Sequence, residues 1–363
     1  MRSVKQHVML RPLFKYPGGK GSEYKHLKKL FPRFTNFVEP FVGGGAVYWA
    51  TDAEKMIIND YSQELIAIYR YAKAQDGKFL SYVNDIGVLW EDKDKVVDGV
   101  RQLLFERKAT VKKPCTVYFA NQLLAPVRVL DKNQERLALY LDDSIKRKIR
   151  SLERVAKTKE ITNFEENVFG AVGAAIYTYL RAMYNETEYD VNPQLKTALY
   201  LFLREYAYSS MFRFNSSGGF NVPFGGNTYA QKSFYSRINQ ITNSDVIAKL
   251  KKTKILQGDF SHSIIDDRET FMFLDPPYDT EFSTYNLKVF DSNEQIRLRD
   301  SLLNVKHTKW LLVVKSTDFI ENLYEREGWY KARFDKSYSV NFNNRNNRDA
   351  EHLIVTNYDF ERQ

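Results

Sequence analysis

The sequence predicts an α/β fold, a mixed sheet with helices on both faces, plus an inserted, mainly helical region that carries a hairpin loop. Three observations predict it. Two short apolar runs near the start are separated by a glycine cluster, a long charged helical stretch follows, and strand–helix alternation then resumes to the end.

The elements follow in order. Phe37 to Phe41 is a short apolar run broken at Pro40, Gly43-Gly44-Gly45 make a turn, and Ala46 to Ala50 resumes as helix. Lys55 to Asn59 reads as a second buried strand closing on Asp60. Ser62 to Ala74, with Leu65, Ile66, Ile68 and Tyr69 at helical spacing, reads as a helix packed on that sheet. From Gln75 to Ser244 charged helical segments take over, such as Asp143 to Ala156 and Val168 to Arg181. Within them Glu205 to Gly226, dense in Tyr, Phe, Ser, Asn and Gly, reads as a hairpin or loop. After Lys249 come strands at Lys254 to Gln257, Thr270 to Leu274 and Lys309 to Lys315, a helix near Asn293 to Leu303 and a late strand at Ala350 to Tyr358. Asn341 to Asn347 reads as a solvated loop. The expected division is 1–74 and 245–363 for the sheet and 75–244 for the insertion, with ligands at the carboxyl ends of the strands.

Composition narrows the partners. With 363 residues, 43% of them hydrophobic, the chain can bury a substantial core. Its 54 Lys and Arg against 45 Asp and Glu give a net charge of +9, which favours polyanionic partners, although a bland solvated surface explains many such excesses. A single cysteine, Cys115, excludes an internal disulfide framework and suits a reducing cytoplasm. No stretch approaches the roughly 18 apolar residues of a membrane span, and Met1 to Lys20 has no secretion-signal core, so the expectation is a cytoplasmic protein. His7, His26, His262, His307 and His352 are scattered without ligand spacing, and no metal site is predicted.

Several motifs carry chemistry. The glycine turn at Gly43 to Gly45 offers backbone amides and close approach to a ligand, although many tight turns hold three glycines. Asp60 falls where nucleotide-binding α/β folds place an acid on ribose hydroxyls; a helix cap is its plainer reading. In Phe14-Lys15-Tyr16-Pro17-Gly18-Gly19-Lys20, a ring beside Pro-Gly-Gly can stack on an adenine, and Lys20 can pair with a carboxylate such as that of a bound amino acid. Asp259 and Phe260 can hydrogen-bond and pack against the same adenine. The most specific signal is Asp275-Pro276-Pro277-Tyr278 after the strand Thr270 to Leu274. An exocyclic purine amine is a poor nucleophile because its lone pair is delocalised. Asp275 can accept one amino hydrogen and the Pro276 carbonyl, in a turn made rigid by Pro277, the other, which localises that pair towards a sulfonium methyl. Tyr278 can stack on the extruded base. Pro114-Cys115 suggests the alternative of covalent attack on a cytosine ring, but amine methylation needs no such intermediate and a structural cysteine suffices.

Taken together these residues resemble the DNA adenine methyltransferase (Dam) family, the D12 class of N6-adenine methyltransferases, over most of the chain outside Lys78 to Asn163. Phe14 to Lys20 is similar to the family's N-terminal cofactor motif, Val38-Glu39-Pro40-Phe41-Val42-Gly43-Gly44-Gly45 to its glycine motif and Asp275 to Tyr278 to its catalytic motif, in the family's order. The resemblance implies a class I, Rossmann-like methyltransferase sheet, S-adenosylmethionine as cofactor and a flipped adenine in double-stranded DNA as substrate. It implies cofactor contacts at Tyr16, Gly18, Gly19, Lys20, Glu39, Pro40, Phe41, Gly43, Gly45, Asp60, Asp259, Phe260 and Asp275. The segments Tyr208-Ser209-Ser210-Met211-Phe212-Arg213-Phe214-Asn215 and Gly219-Phe220-Asn221-Val222-Pro223-Phe224-Gly225 are also similar to the family's target-recognition residues. They imply Arg213 on a guanine, Met211 and Pro223 on a thymine methyl, Tyr208 entering the base stack, Lys15 on the first guanine, and Ser209, Asn215 and Asn221 as further DNA contacts. Ser209 departs from the Asn of some members, and Lys78 to Asn163 is longer than in compact ones. The expected site is GATC or contains it. Asp279 to Phe290 is expected to form a loop over the base, with Phe282, Ser283 and Tyr285 near DNA. The expected state is a monomer, with a cognate restriction endonuclease as a partner. Alternatives are methylation of RNA or of a protein glutamine amide, and a non-catalytic DNA-binding relative.

Overall fold

A computed structural model describes residues 10–106, 113–158, 160–161, 163–277, 290–337 and 349–362. The chain divides into two compact units, one of 1–12, 18–70 and 245–363, the other of 13–17 and 71–244.

The first unit is built on a seven-stranded sheet. Its strands are β1 (Asn36–Glu39), β2 (Lys55–Ile58), β3 (Thr253–Ile255), β4 (Thr270–Leu274), β5 (Lys309–Lys315), β6 (Tyr330–Ser337) and β7 (Asp349–Thr356), in the order β3-β2-β1-β4-β5-β7-β6. The first five run parallel and β7 and β6 add antiparallel. Parallel strands need both faces covered, and β4 shows why its sequence is apolar from Phe271 to Leu274. Met272 and Leu274 pack with Leu298 and Leu302 of the helix Ser292–Leu303. Phe271, on the opposite face, has its ring 4.7 Å from Phe31 and 6.0 Å from Phe37. That helix starts where Asp291 Oδ1 accepts from the amides of Asn293 and Glu294 at 3.0 Å.

β4 and β5 fall on the residues the sequence indicates, and β1 to β3 within about two residues. β6 was not among the strands read from the sequence: Tyr330, Ala332 and Phe334 do alternate with Lys331, Arg333 and Asp335, but they stand among charges and form no continuous apolar run, as suits an edge strand with one antiparallel partner.

The second unit is mainly helical. Its long helices are Gly77–Glu91, Asp94–Phe105, Lys113–Leu124, Gln134–Ala156, Phe164–Glu186 and Pro193–Tyr206. Three begin on side-chain caps: Asp76 accepts from the amide of Phe79, Asn133 from Arg136 and Asn192 from Leu195 with Pro193 beside it. Gly170 permits close approach to the short helix Asn227–Ala230, since a Cβ there would fall 2.0 Å from Asn227 Oδ1. The helix Pro193–Tyr206 runs two residues into the span expected to be loop. Every residue from Thr197 to Tyr206 is buried, so no amphipathic period marks its end. A hairpin follows, bridged at Ala207–Phe224 and Phe214–Phe220. Among the described residues no helix is long and apolar enough to cross a membrane.

Candidate active site

Four adjacent parallel strands end on the same edge, and their loops carry the cofactor and catalytic candidates of the first unit. β1 delivers Glu39, Pro40, Phe41 and the glycines, β2 delivers Asn59 and Asp60, β3 delivers Asp259 and Phe260, and β4 delivers Asp275, Pro276 and Pro277. Asn59 Nδ2 ties two of these loops, donating to Pro40 O and Gly258 O at 3.1 Å each.

The glycine turn is held from below. Gly43 and Gly45 have φ of 48° and 71°, values that other residues rarely adopt. A Cβ on Gly45 would lie 2.6 Å from the Tyr69 hydroxyl, which itself donates to Gly43 O at 3.0 Å. The helix after the turn, Ala46–Ala50, has only five residues, so the loop itself shapes this corner. Asp60 Oδ2 accepts from Gly43 N and Oδ1 from Ser62 N, both at 2.9 Å.

Glu39 is 3% exposed and its Oε2 has no hydrogen-bond partner. Burial pushes its carboxyl well above the usual range and the Asp275 carboxylate adds to the push. An unmatched buried oxygen beside Asp60 and Asp275 suits a ligand bearing an ammonium and sugar hydroxyls. A flat aromatic group suits the flank, where the Phe41 ring lies 5.3 Å from Phe260 and 5.5 Å from Phe290.

Lys20 is directed at a carboxylate of the chain itself. Its fully buried Nζ donates to Asp275 Oδ1 at 2.6 Å, Oδ2 at 2.8 Å and Gly18 O at 3.2 Å. An ion-paired carboxylate is an acceptor only, and this one remains 18% exposed. Pro276 is buried and Pro277 exposed. Tyr278, with Phe282, Ser283 and Tyr285, lies outside the described residues. Asp259 meets Arg297 in a two-bond pair at 2.9 and 2.7 Å, which holds its carboxyl well below the usual range. The Arg297 partner gave no signal in the sequence, because it comes from a helix 38 residues on.

The other candidates sit in the helical unit. The hairpin alternates: Phe212, Phe220 and Val222 are buried, whereas Arg213 and Pro223 are exposed and Met211 and Asn221 half-buried. Phe212 and Phe220 stack with centroids 4.3 Å apart, so the opposite row faces solvent. Asn215 Oδ1 closes the tip by accepting from Ser217 N and Gly219 N. Tyr208 N donates to Pro223 O at 2.9 Å and so aligns the two arms. Ser209 and Ser210 have φ of 51° and 53°, a left-handed pair that costs non-glycine residues some strain. Lys15 Nζ pairs with Glu205 Oε1 at 2.7 Å.

Tyr16 joins this unit through Arg204, a residue the sequence reading missed. Arg204 is 2% exposed, with its guanidinium carbon 4.6 Å from the Tyr16 ring, 5.2 Å from Phe212 and 5.8 Å from Tyr200. Its Nε and one terminal nitrogen have no hydrogen-bond partner. A desolvated ring contact contributes roughly 0.5–2 kcal/mol, while burying an ion costs several. Arg204→Met should therefore change stability by about 1 kcal/mol or less, whereas Arg204→Ala should cost about 2–5 kcal/mol through the cavity it opens. Denaturant unfolding of the two variants checks this; equal large losses would mean the charge itself stabilises the fold.

Comparison with known proteins matches this arrangement to a family. Residues 16–334 match the D12 class N6 adenine-specific DNA methyltransferase profile. The chain is 25% identical over 357 residues to the Type II methyltransferase M.CviBI of Paramecium bursaria Chlorella virus NC1A, covering 96% of this chain and 100% of that protein. It is 25% identical to the Type II methyltransferase M1.LlaDCHI of Lactococcus lactis subsp. cremoris, covering 98% of each, and 22% identical to the DNA adenine methylase of Haemophilus influenzae strain Rd, covering 94% and 92%.

Proposed function

Because the chain belongs to the D12 class of N6 adenine-specific DNA methyltransferases and so methylates adenine in DNA, we propose that S-adenosylmethionine is its donor and that Asp275 with the Pro276 carbonyl holds the amino group of a flipped-out adenine. The observation that supports this most is the position of Asp275: it shares a strand edge with Glu39, Asp60 and the glycine turn, and it keeps an exposed side despite its pairing with Lys20.

When bound, the donor supplies an electrophilic sulfonium methyl. Glu39 would accept from its ammonium group, Asp60 from its ribose hydroxyls, and Phe41 and Phe260 would flank its adenine. Asp259 would accept from that adenine's amino group, with Tyr16, Gly18 and Gly19 completing the binding set. On the substrate side, Asp275 accepts one N6 hydrogen and the Pro276 carbonyl the other, so the nitrogen lone pair is localised and aimed. Lys20 fixes the carboxylate's orientation. Tyr278 stacks on the extruded base, about 1–3 kcal/mol of the few that unstacking costs.

Residues 75–244 are read as the target-recognition domain between sheet halves at 1–74 and 245–363. On its hairpin Arg213 faces a guanine, Met211 and Pro223 a thymine methyl, and Tyr208 the base stack, with Ser209, Asn215 and Asn221 as polar contacts and Lys15 on the first guanine. GATC, or a site containing it, follows from that set. The Type II names of two relatives favour a restriction–modification role with a cognate endonuclease, the methyltransferase acting as a monomer.

Labelled S-adenosylmethionine offered with plasmid DNA, total RNA and protein should label the DNA alone, and long-read sequencing of DNA from expressing cells should place N6-methyladenine in GATC. Label on cytosine carbon, or on RNA or protein only, would reject the mechanism.

A further inference from the structure

The helical unit holds an unusual grouping of like charges outside the hairpin. Lys232 is exposed, yet its ammonium does not extend freely into water; it lies 3.9 Å from the centroid of the Tyr229 ring. The Lys15 ammonium lies 5.2 Å from the same centroid. Desolvation, and then the neighbouring Lys15 charge, hold the Lys232 pKa below its usual value. A free surface lysine relieves such crowding by moving into solvent, because an ammonium is strongly hydrated.

The acid available does not balance the group. Glu205 is the carboxylate among these residues, and it is divided between Lys15 Nζ at 2.7 Å and Arg237 Nε at 3.0 Å. Its neighbour Glu91 is committed elsewhere, accepting from Ser233 Oγ at 2.8 Å and Phe234 N at 2.6 Å. Lys15, Arg237 and Lys232 thus share one divided carboxylate, so these four side chains carry a net positive charge, and Lys232 is exposed. The Lys232 backbone is also fixed, since its carbonyl accepts from Trp90 Nε1 at 2.8 Å and from the Tyr206 hydroxyl at 2.9 Å. The cation is therefore presented from a rigid point.

We propose that Lys232, seated on Tyr229 beside Lys15, takes a backbone phosphate of the bound duplex. A phosphodiester supplies the missing negative charge and an acceptor oxygen for the Lys232 ammonium, while the ring limits where Lys232 can reach. This is a contact that positions the duplex without reading its sequence. It rests on DNA being the substrate and not on the identity of the site, the donor or the base contacts.

The test is duplex binding by the full-length protein across a salt series, for wild type, Lys232→Gln and Tyr229→Leu, on a GATC duplex and on a shuffled one. Neutralising one phosphate contact should reduce the slope of log affinity against log salt by about 0.9. Lys232→Gln should show that reduction on both duplexes, weaken low-salt binding several-fold, and leave kcat at saturating DNA within about twofold. Tyr229→Leu should weaken binding less, by loosening the lysine. An unchanged slope in Lys232→Gln overturns the proposal, as does a loss confined to the GATC duplex, which would make Lys232 a base reader. Because Lys232 is exposed, circular dichroism should confirm that the variant folds as wild type.

Discussion

Asp275→Asn should lower kcat for methyl transfer to duplex DNA by about 10²–10³-fold, the range seen when one preorganised polar partner of a developing charge is removed. Asparagine keeps the size of the side chain and one acceptor oxygen. It therefore still meets Lys20 and the fold should survive, while its amide NH₂, a donor, can face the adenine amine and oppose it. Asp275→Ala should lose as much rate and also strip Lys20, 1% exposed, of its carboxylate partner. Single-turnover kinetics separate this from binding: dissociation constants for DNA and donor should move only a few-fold in Asp275→Asn. Wild-type kcat in that variant would reject the role assigned to the carboxylate.

Lys20→Met tests the other half of the pair. Breaking a buried ion pair by removing one partner costs about 3–5 kcal/mol, and roughly 2–4 is expected here because Asp275 is partly exposed and can be hydrated. The thermal midpoint should fall by several degrees. Rate should also drop, by about ten-fold or more, since a carboxylate free to rotate spends less time aimed at the substrate. The double variant Lys20→Met with Asp275→Asn should be more stable than the sum of the single losses, because the stranded charge is gone. Additive losses would show that the two side chains act independently.

Which parts of the molecule were legible in the sequence depends on the range of the interactions involved. Thr270–Leu274 and Lys309–Lys315 were readable because a strand buried on both faces carries an unbroken apolar run, here Phe271 to Leu274 and Trp310 to Val314, a property of consecutive residues. The glycine turn was readable because left-handed backbone calls for glycine at Gly43 and Gly45 themselves. The last turn of Pro193–Tyr206 was not, since burial on all sides erases the periodicity that marks a helix, and the edge strand Tyr330–Ser337 was not because its apolar Tyr330, Ala332 and Phe334 stand among charges and form no continuous run.

By itself, the sequence determined the alternating strands and helices, the turns that end them, and the acids and glycines those turns would carry. Such features are set by neighbours within a few residues, where backbone sterics and hydrophobic period act. Only the tertiary structure decided who meets whom. Lys20 and Asp275 are 255 residues apart and become partners on the first unit's sheet edge, and Tyr16 comes under Arg204 in the helical unit. Strand order and helix packing make those encounters, and no local pattern encodes them.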